Sequence, residues 1–175
     1  MRFLLVYSSR TGNTRKVAEV VFEALPEPKE FYPVEEAPRA DEYDFVLLGF
    51  WVDKGNADEK AANYLEGIKN KKIFLFGTLG AYPDSEHARN CLEKVKKTAQ
   101  ENDILGTFLC QGKVDPDLLK WMDENLKNDP RHSLTPERKE MLREAEKHPD
   151  VDDLTEAGNM VREALKKLGL KVENV

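Results

Sequence analysis

A short apolar run that gives way to a hydroxyl-rich loop and then to an amphipathic helix constrains this chain more than any other feature. Phe3-Leu4-Leu5-Val6-Tyr7 reads as a strand of the kind that fills a parallel sheet buried on both faces. The run stops at Ser8-Ser9-Arg10-Thr11-Gly12-Asn13, whose residue types mark a loop. From Thr14 to Leu25, the residues Val17, Val20, Val21, Ala24 and Leu25 recur at helical spacing, and Pro26 and Pro28 end the helix. In such a unit, backbone N–H groups and the positive end of the helix dipole converge on one point, which suits an anion. Ser8, Ser9, Thr11 and Thr14 add hydroxyls, and Gly12 lets the backbone approach closely. Other phosphate motifs are excluded: there is no GxxxxGK[ST], no GxGxxG after the first strand, and no cysteine opening the loop. The plain alternative is an N-cap without a ligand, but so many hydroxyls around one glycine exceed what capping needs.

The same alternation continues along the chain. Strands are expected at 30–34, 44–50, 72–76 and 104–111, with helices at 57–68 and 85–101 between them. This pattern predicts an α/β fold: a doubly wound, five-stranded parallel sheet in the order 2-1-3-4-5, with helices on both faces. Ligands of such sheets sit outside the carboxyl ends of the strands, at the switch point. The loops that begin at Ser8, Trp51 and Gly77 therefore converge on one rim.

After Lys113 the pattern turns helical. A helix is expected over 115–126, followed by a linker from Asn128 to Ser133. A second helix is capped by Thr135, with Pro136 in its first turn, and broken at His148-Pro149-Asp150. The last helix spans 152–168 and ends at Gly169, with a weak strand at 170–172 after it. The chain is read as one domain over 1–175, in which 152–168 is the closing helix and 115–149 an extra helical arm. Leu154, Ala157, Val161, Leu165 and Leu168 would pack the closing helix on the sheet. In the arm, Leu118, Leu119, Trp121, Met122, Leu126, Met141 and Leu142 either extend the core or form a lid.

Composition narrows the function. The net charge of −6 argues against a nucleic-acid binder and fits an acidic surface that steers basic partners. Cys91 and Cys110 form no CxxC, so a thioredoxin-like pair or zinc knuckle is unsupported, and both read as small buried hydrophobes. Met1-Arg2 runs straight into an apolar stretch too short for a signal peptide or a membrane span, so a cytoplasmic location is expected. His132 and His148 fall in linkers and are expected at the surface. His87 and Asp84 follow the third loop, where a histidine beside a cofactor would be able to donate a proton, although an exposed first-turn residue is the plainer reading.

Ser8-Ser9-Arg10-Thr11-Gly12-Asn13-Thr14 resembles the flavodoxin signature, in which the first strand ends in a Ser/Thr-x-Thr-Gly-x-Thr loop. The resemblance extends over residues 2 to 112 in element order. It implies that FMN is held non-covalently, its phosphate by Ser9, Thr11, Asn13 and Thr14 with the backbone of Arg10 and Gly12, beside Ser8. It also implies two ring loops. The first includes Phe50, Trp51, Val52 and Gly55, with Trp51 where the family often carries a tryptophan over the flavin. The second includes Thr78, Leu79, Gly80 and Tyr82, with Tyr82 in the place of the second aromatic. Val52 stands where family members often have glycine, and the second loop lacks their acidic Gly-Asp turn. The resemblance leaves three functions open. One is an electron carrier between a reductase and a terminal redox enzyme, expected as a monomer or weak dimer with no metal. The others are an FMN-dependent reductase of a quinone or other conjugated substrate, and a binding module that has lost its flavin.

Overall fold

A computed structural model of the chain describes residues 1–126, 129 and 133–171. Strand β1 (Phe3–Tyr7) is buried along its whole length because it lies inside the sheet, with a strand on each side and a layer of side chains on each face. It pairs in parallel with β2 (Lys29–Pro33) on one side and β3 (Phe45–Asp53) on the other. Beyond β3 come β5 (Lys72–Leu79) and β6 (Asp103–Gln111), also parallel. The order β2-β1-β3-β5-β6 is the doubly wound arrangement expected of the five parallel strands.

A short extra strand was not expected. β4 (Asn56–Ala57) folds back antiparallel on Val52 and Asp53. The turn between them is Lys54-Gly55, with φ of 49° and 76°. Both residues are left-handed, as a tight two-residue hairpin turn needs, and Gly55 adopts that conformation without strain.

Period-two alternation divides the sheet between two apolar layers. Phe3, Leu5, Tyr7, Phe45, Leu47, Phe74 and Phe76 face α1 (Asn13–Glu23) and α6 (Val151–Lys167) through Val17, Val21, Val161 and Leu165. Leu4, Val6, Val46, Leu48, Phe50, Ile73 and Leu75 face the opposite layer, with Ala61 and Leu65 of α2 (Glu59–Glu66) and Val95 of α3 (Glu86–Thr98). Each fully buried Val, Leu or Phe contributes about 1.5–3 kcal/mol, so Leu5→Ala or Leu48→Ala would cut into one layer or the other. Two cross-strand pairs of β3 and β5 lock their register: Gly49 lies beside Phe76, and Phe50 beside Gly77. A Cβ on Gly49 would sit 2.5 Å from the Phe76 ring, and one on Gly77 would sit 2.6 Å from the Phe50 ring.

β3 and β5 each run three residues beyond the expected ends, so Trp51, Val52, Thr78 and Leu79 are strand residues rather than loop residues. α4 (Pro116–Asn125) and α5 (Pro136–Ala145) stand between β6 and α6. Thr135 caps α5 through its hydroxyl with Pro136 next, and Ala157, Val161 and Leu165 of α6 are buried while Leu154 and Leu168 pack beside them. α4 buries none of its residues fully, and Trp121 is 53% exposed. Leu170 and Lys171 carry no strand, and Val172 lies outside the described residues, as do Asn128, Pro130, Arg131 and His132 of the expected linker. Cys91 and Cys110 are unpaired and buried, and burial pushes the Cys110 thiol well above its ordinary pKa. Among the described residues, no helix is long and apolar enough to cross a membrane.

Candidate functional site

The carboxyl end of β1 is held beside β3 by Ser8 N–H, which donates to Gly49 O at 2.9 Å. The loop then turns on its own side chains. Ser9 Oγ accepts from Gly12 N–H at 3.1 Å, and Thr11 Oγ1 accepts from the Asn13 amide at 3.1 Å. Gly12 caps α1 at φ 92°, a left-handed conformation, and the space where its Cβ would stand is open.

The start of α1 differs from that of every other α-helix among the described residues. Asp58, Ser85, Asp115, Thr135 and Asp150 cap the other five through their side chains, and each of those helices has an acid in its first turn. In α1 the N-cap Gly12 has no side chain to offer and the first turn holds no acid, carrying Arg15 and Lys16 instead; Ser9 Oγ, outside the helix, accepts from Arg15 N–H at 3.4 Å. N–H groups and the positive end of a helix dipole thus meet in front of an open glycine, and no local carboxylate competes there. That arrangement suits a phosphate.

The second half of the site is built on the ends of β3 and β5. Trp51 and Thr78 are partners in the ladder. Thr78 Oγ1 lies 2.9 Å from Thr14 Oγ1, both residues being buried, so this hydroxyl pair ties the first loop to β5. Arg10 lies over the Trp51 ring, its guanidinium carbon 5.6 Å from the ring centre, and donates to Asp115 Oδ2 at 3.0 Å. That contact holds the Asp115 carboxyl below its ordinary pKa.

A cleft opens between these parts. Of the residues singled out in the sequence, Arg10, Thr11, Asn13, Thr14, Trp51, Val52, Thr78, Leu79 and Gly80 line it. The others lie around it. Ser9 and Gly12 shape the loop. Ser8 and Phe50 are buried, with the Phe50 ring in the core. Gly55 is at the hairpin tip, near His87 and Lys94 of α3, and Tyr82 is exposed beyond the cleft. His87 does not line the cleft; its Nε2 lies 3.6 Å from Cys91 Sγ.

The final wall comes from a segment that sequence reasoning did not place here: Gly112, Lys113, Val114, Asp115 and Leu118. Gly112 N–H donates to Leu79 O, and the Asn13 amide donates to Lys113 O, both at 2.9 Å. Asp58 was also missed. The helix expected at 57–68 placed it inside that helix, whereas it caps α2, which begins at Glu59; its bond to Ser8, 50 residues away, leaves no local signal.

His148 does lie at the break between α5 and α6, but it is half-buried rather than freely exposed. Its side chain is 17% exposed, with Nδ1 2.5 Å from Asp153 Oδ2 and Nε2 3.4 Å from Glu144 Oε1. The hydrogen bond to Asp153 is the main reason its pKa is raised.

The model of the flavodoxin domain matches residues 4–162 of this chain. The chain belongs to the flavodoxin family. This flavodoxin domain is 35% identical over 175 residues to the flavodoxin-like domain-containing protein BilS of Clostridioides difficile (strain CD3), covering 97% of this chain and 99% of that one. Its fold is similar to that of oxidised flavodoxin 1 from Bacillus cereus, with a TM-score of 0.57 at 15% identity, over 95% of this chain and 98% of that one. It is also similar to a flavoprotein of Lactobacillus acidophilus NCFM solved in complex with FMN, with a TM-score of 0.52 at 16% identity, over 69% of this chain and 97% of that one.

Proposed function

We propose that this flavodoxin domain binds FMN and carries electrons in the cytoplasm between a reductase and a terminal redox enzyme. The observation that carries the reading is the start of α1: an open, left-handed Gly12 as N-cap, with no side chain of its own to cap the helix and no acid in the first turn. The backbone of the loop, with Ser9, Thr11 and Asn13, would hold the phosphate. Arg10, Arg15 and Lys16 favour its charge. Thr14 braces the loop against Thr78, while Trp51, Val52 and Leu79 offer an apolar wall that keeps water from the ring. FMN supplies one- or two-electron redox chemistry when bound. The acidic balance of the chain favours basic partner proteins, and no dinucleotide fingerprint follows β1, so electrons would arrive from another protein.

A second reading, an FMN-dependent reductase of a quinone or another conjugated molecule, draws on the wall formed by residues 112–118. That wall narrows the cleft as a substrate pocket would need.

Flavin titration tests the shared core of both readings. FMN is expected to bind much more tightly than riboflavin, which lacks the phosphate; equal affinities would overturn the assignment of the loop. Thr11→Ala removes one bond to a charged group, so FMN affinity should fall about tenfold to a hundredfold, with riboflavin unaffected. Slow reduction by NAD(P)H alone supports the carrier. Fast reduction with turnover of an added quinone supports the reductase.

A further inference from the structure

One buried carboxyl group joins the two halves of the site. Asp58 is 2% exposed and lies at the N-cap of α2. Its Oδ1 accepts from Ser8 Oγ at 2.7 Å and from Ala61 N–H at 3.3 Å. Its Oδ2 accepts from Trp51 N–H at 3.3 Å, and its own N–H donates to Trp51 O at 2.9 Å. Capping α2 uses only the bond to Ala61. The remaining bonds leave the helix and reach the last residue of the anion loop's anchor and the aromatic residue of the ring wall.

We infer that Asp58 is a positioning residue that fixes the backbone of Trp51 in the flavin site and locks it to the start of the phosphate loop through Ser8. The role rests on the FMN reading for its purpose, but the geometry is that of the protein alone. A carboxyl group suits the position because every group it meets through its oxygens is a donor, and Oδ1 has lone pairs for two of them. The hairpin that follows Trp51 serves the same end. Val52 pairs with Ala57, so the chain returns at once and delivers Asp58 beneath Trp51. Ser8 gives its hydroxyl hydrogen to Asp58 and is thereby turned away from the anion site. This leaves the phosphate to Ser9 and Thr11.

Asp58→Asn is the informative change. An amide keeps the shape but presents N–H to one of three donors, so it cannot accept from Ser8, Ala61 and Trp51 together. The experiment uses a Trp121→Phe background, which leaves Trp51 as the sole tryptophan. In the flavin-free protein, Asp58→Asn is expected to shift Trp51 emission to longer wavelength and to increase its quenching by acrylamide. With flavin, riboflavin affinity should fall about tenfold through the ring side, and FMN affinity by at least that factor, because Asp58 also holds the start of the phosphate loop. Unchanged Trp51 emission and quenching in the folded variant would overturn the inference. A loss confined to FMN would also overturn it, since that would place the effect at the phosphate. If Asp58→Asn does not fold, Ser8→Ala, which removes only the 2.7 Å bond, should produce the same changes at a smaller, few-fold size; no change there overturns the inference. Failure of the parent protein to bind either flavin would overturn the FMN reading instead, while the flavin-free Trp51 signal still decides whether Asp58 holds Trp51.

Discussion

Arg10 and Asp115, 105 residues apart, meet at 3.0 Å on the rim of the cleft. The pair joins the phosphate loop to the start of α4, and the Arg10 guanidinium also rests over Trp51. Asp115 holds Arg10 with one oxygen and caps Asp117 N–H with the other. Asp115→Asn keeps a cap but removes a negative charge from beside the phosphate loop. FMN affinity should rise a few-fold at low ionic strength, and the gain should fade as salt screens it, as expected for an exposed pair. Titrations at several salt concentrations check this; a salt-independent change would mean that α4 had moved rather than that charge had been lost.

The Thr14–Thr78 hydroxyl pair predicts non-additive stability. Thr14→Val leaves the buried Thr78 hydroxyl without that partner and should cost about 1–3 kcal/mol. Thr78→Val should cost less, because the Thr14 hydroxyl keeps the Phe50 carbonyl, at 3.5 Å. The double variant should lose clearly less than the sum, because neither hydroxyl is then left behind. Urea unfolding of the four proteins checks the cycle.

Gly80 is constrained by space. A Cβ there would stand 2.4 Å from Val114 Cγ2, across the cleft wall. Gly80→Ala should therefore displace the 112–118 segment, destabilise the fold by about 1 kcal/mol or more, and weaken flavin binding. Val114→Ala in the same chain should restore most of both losses. A lack of rescue would show that the close contact is not what makes glycine necessary.

His148 makes stability depend on pH. Its folded-state pKa is raised above the ordinary 6.5, chiefly by Asp153, and Asp150 and Glu144 are held below their ordinary values. A raised folded pKa means that the stabilisation is fully present below the unfolded value of 6.5 and is lost as pH rises through the folded value. The stability advantage of the parent over His148→Asn should therefore be greatest near pH 5.5 to 6 and smallest in alkali, as read by denaturant melts across that range. The backbone carbonyl of His148 also accepts from Lys113 N–H at 3.3 Å, so the same cluster anchors a wall of the cleft.

The regular elements were legible because their signals are local. A strand such as Phe3–Tyr7 or a helix such as α6 is written in the spacing of its own apolar residues, and the alternation of the two imposes a doubly wound sheet. The loop at 8–14 was legible for the same reason: hydroxyls, a glycine and a helix start are contiguous. The strand ends were less legible. Trp51 and Thr78 extend β3 and β5 because they pair with each other, Val52 because it pairs with Ala57 of β4, and Leu79 because it pairs with Gln111 of β6; pairing is not a property of any segment alone. The burial of His148 was missed because the bend between α5 and α6 turns Glu144 and Asp153 onto its ring, and the direction of that bend is not written in the spacing of apolar residues.

What the sequence by itself determined is the order of the elements, the two apolar faces of the sheet and the hydroxyl-rich turn after β1. Each follows from residue types within a few positions of one another. Only the tertiary structure decided which partner each hydroxyl takes, Ser8 bonding Asp58 and Thr14 meeting Thr78, and that residues 112–118 line the far wall of the cleft. A side-chain hydrogen bond is chosen by the nearest partner in space. For Ser8, Thr14 and Arg10 that partner stands 50, 64 and 105 residues away, beyond the reach of any local pattern.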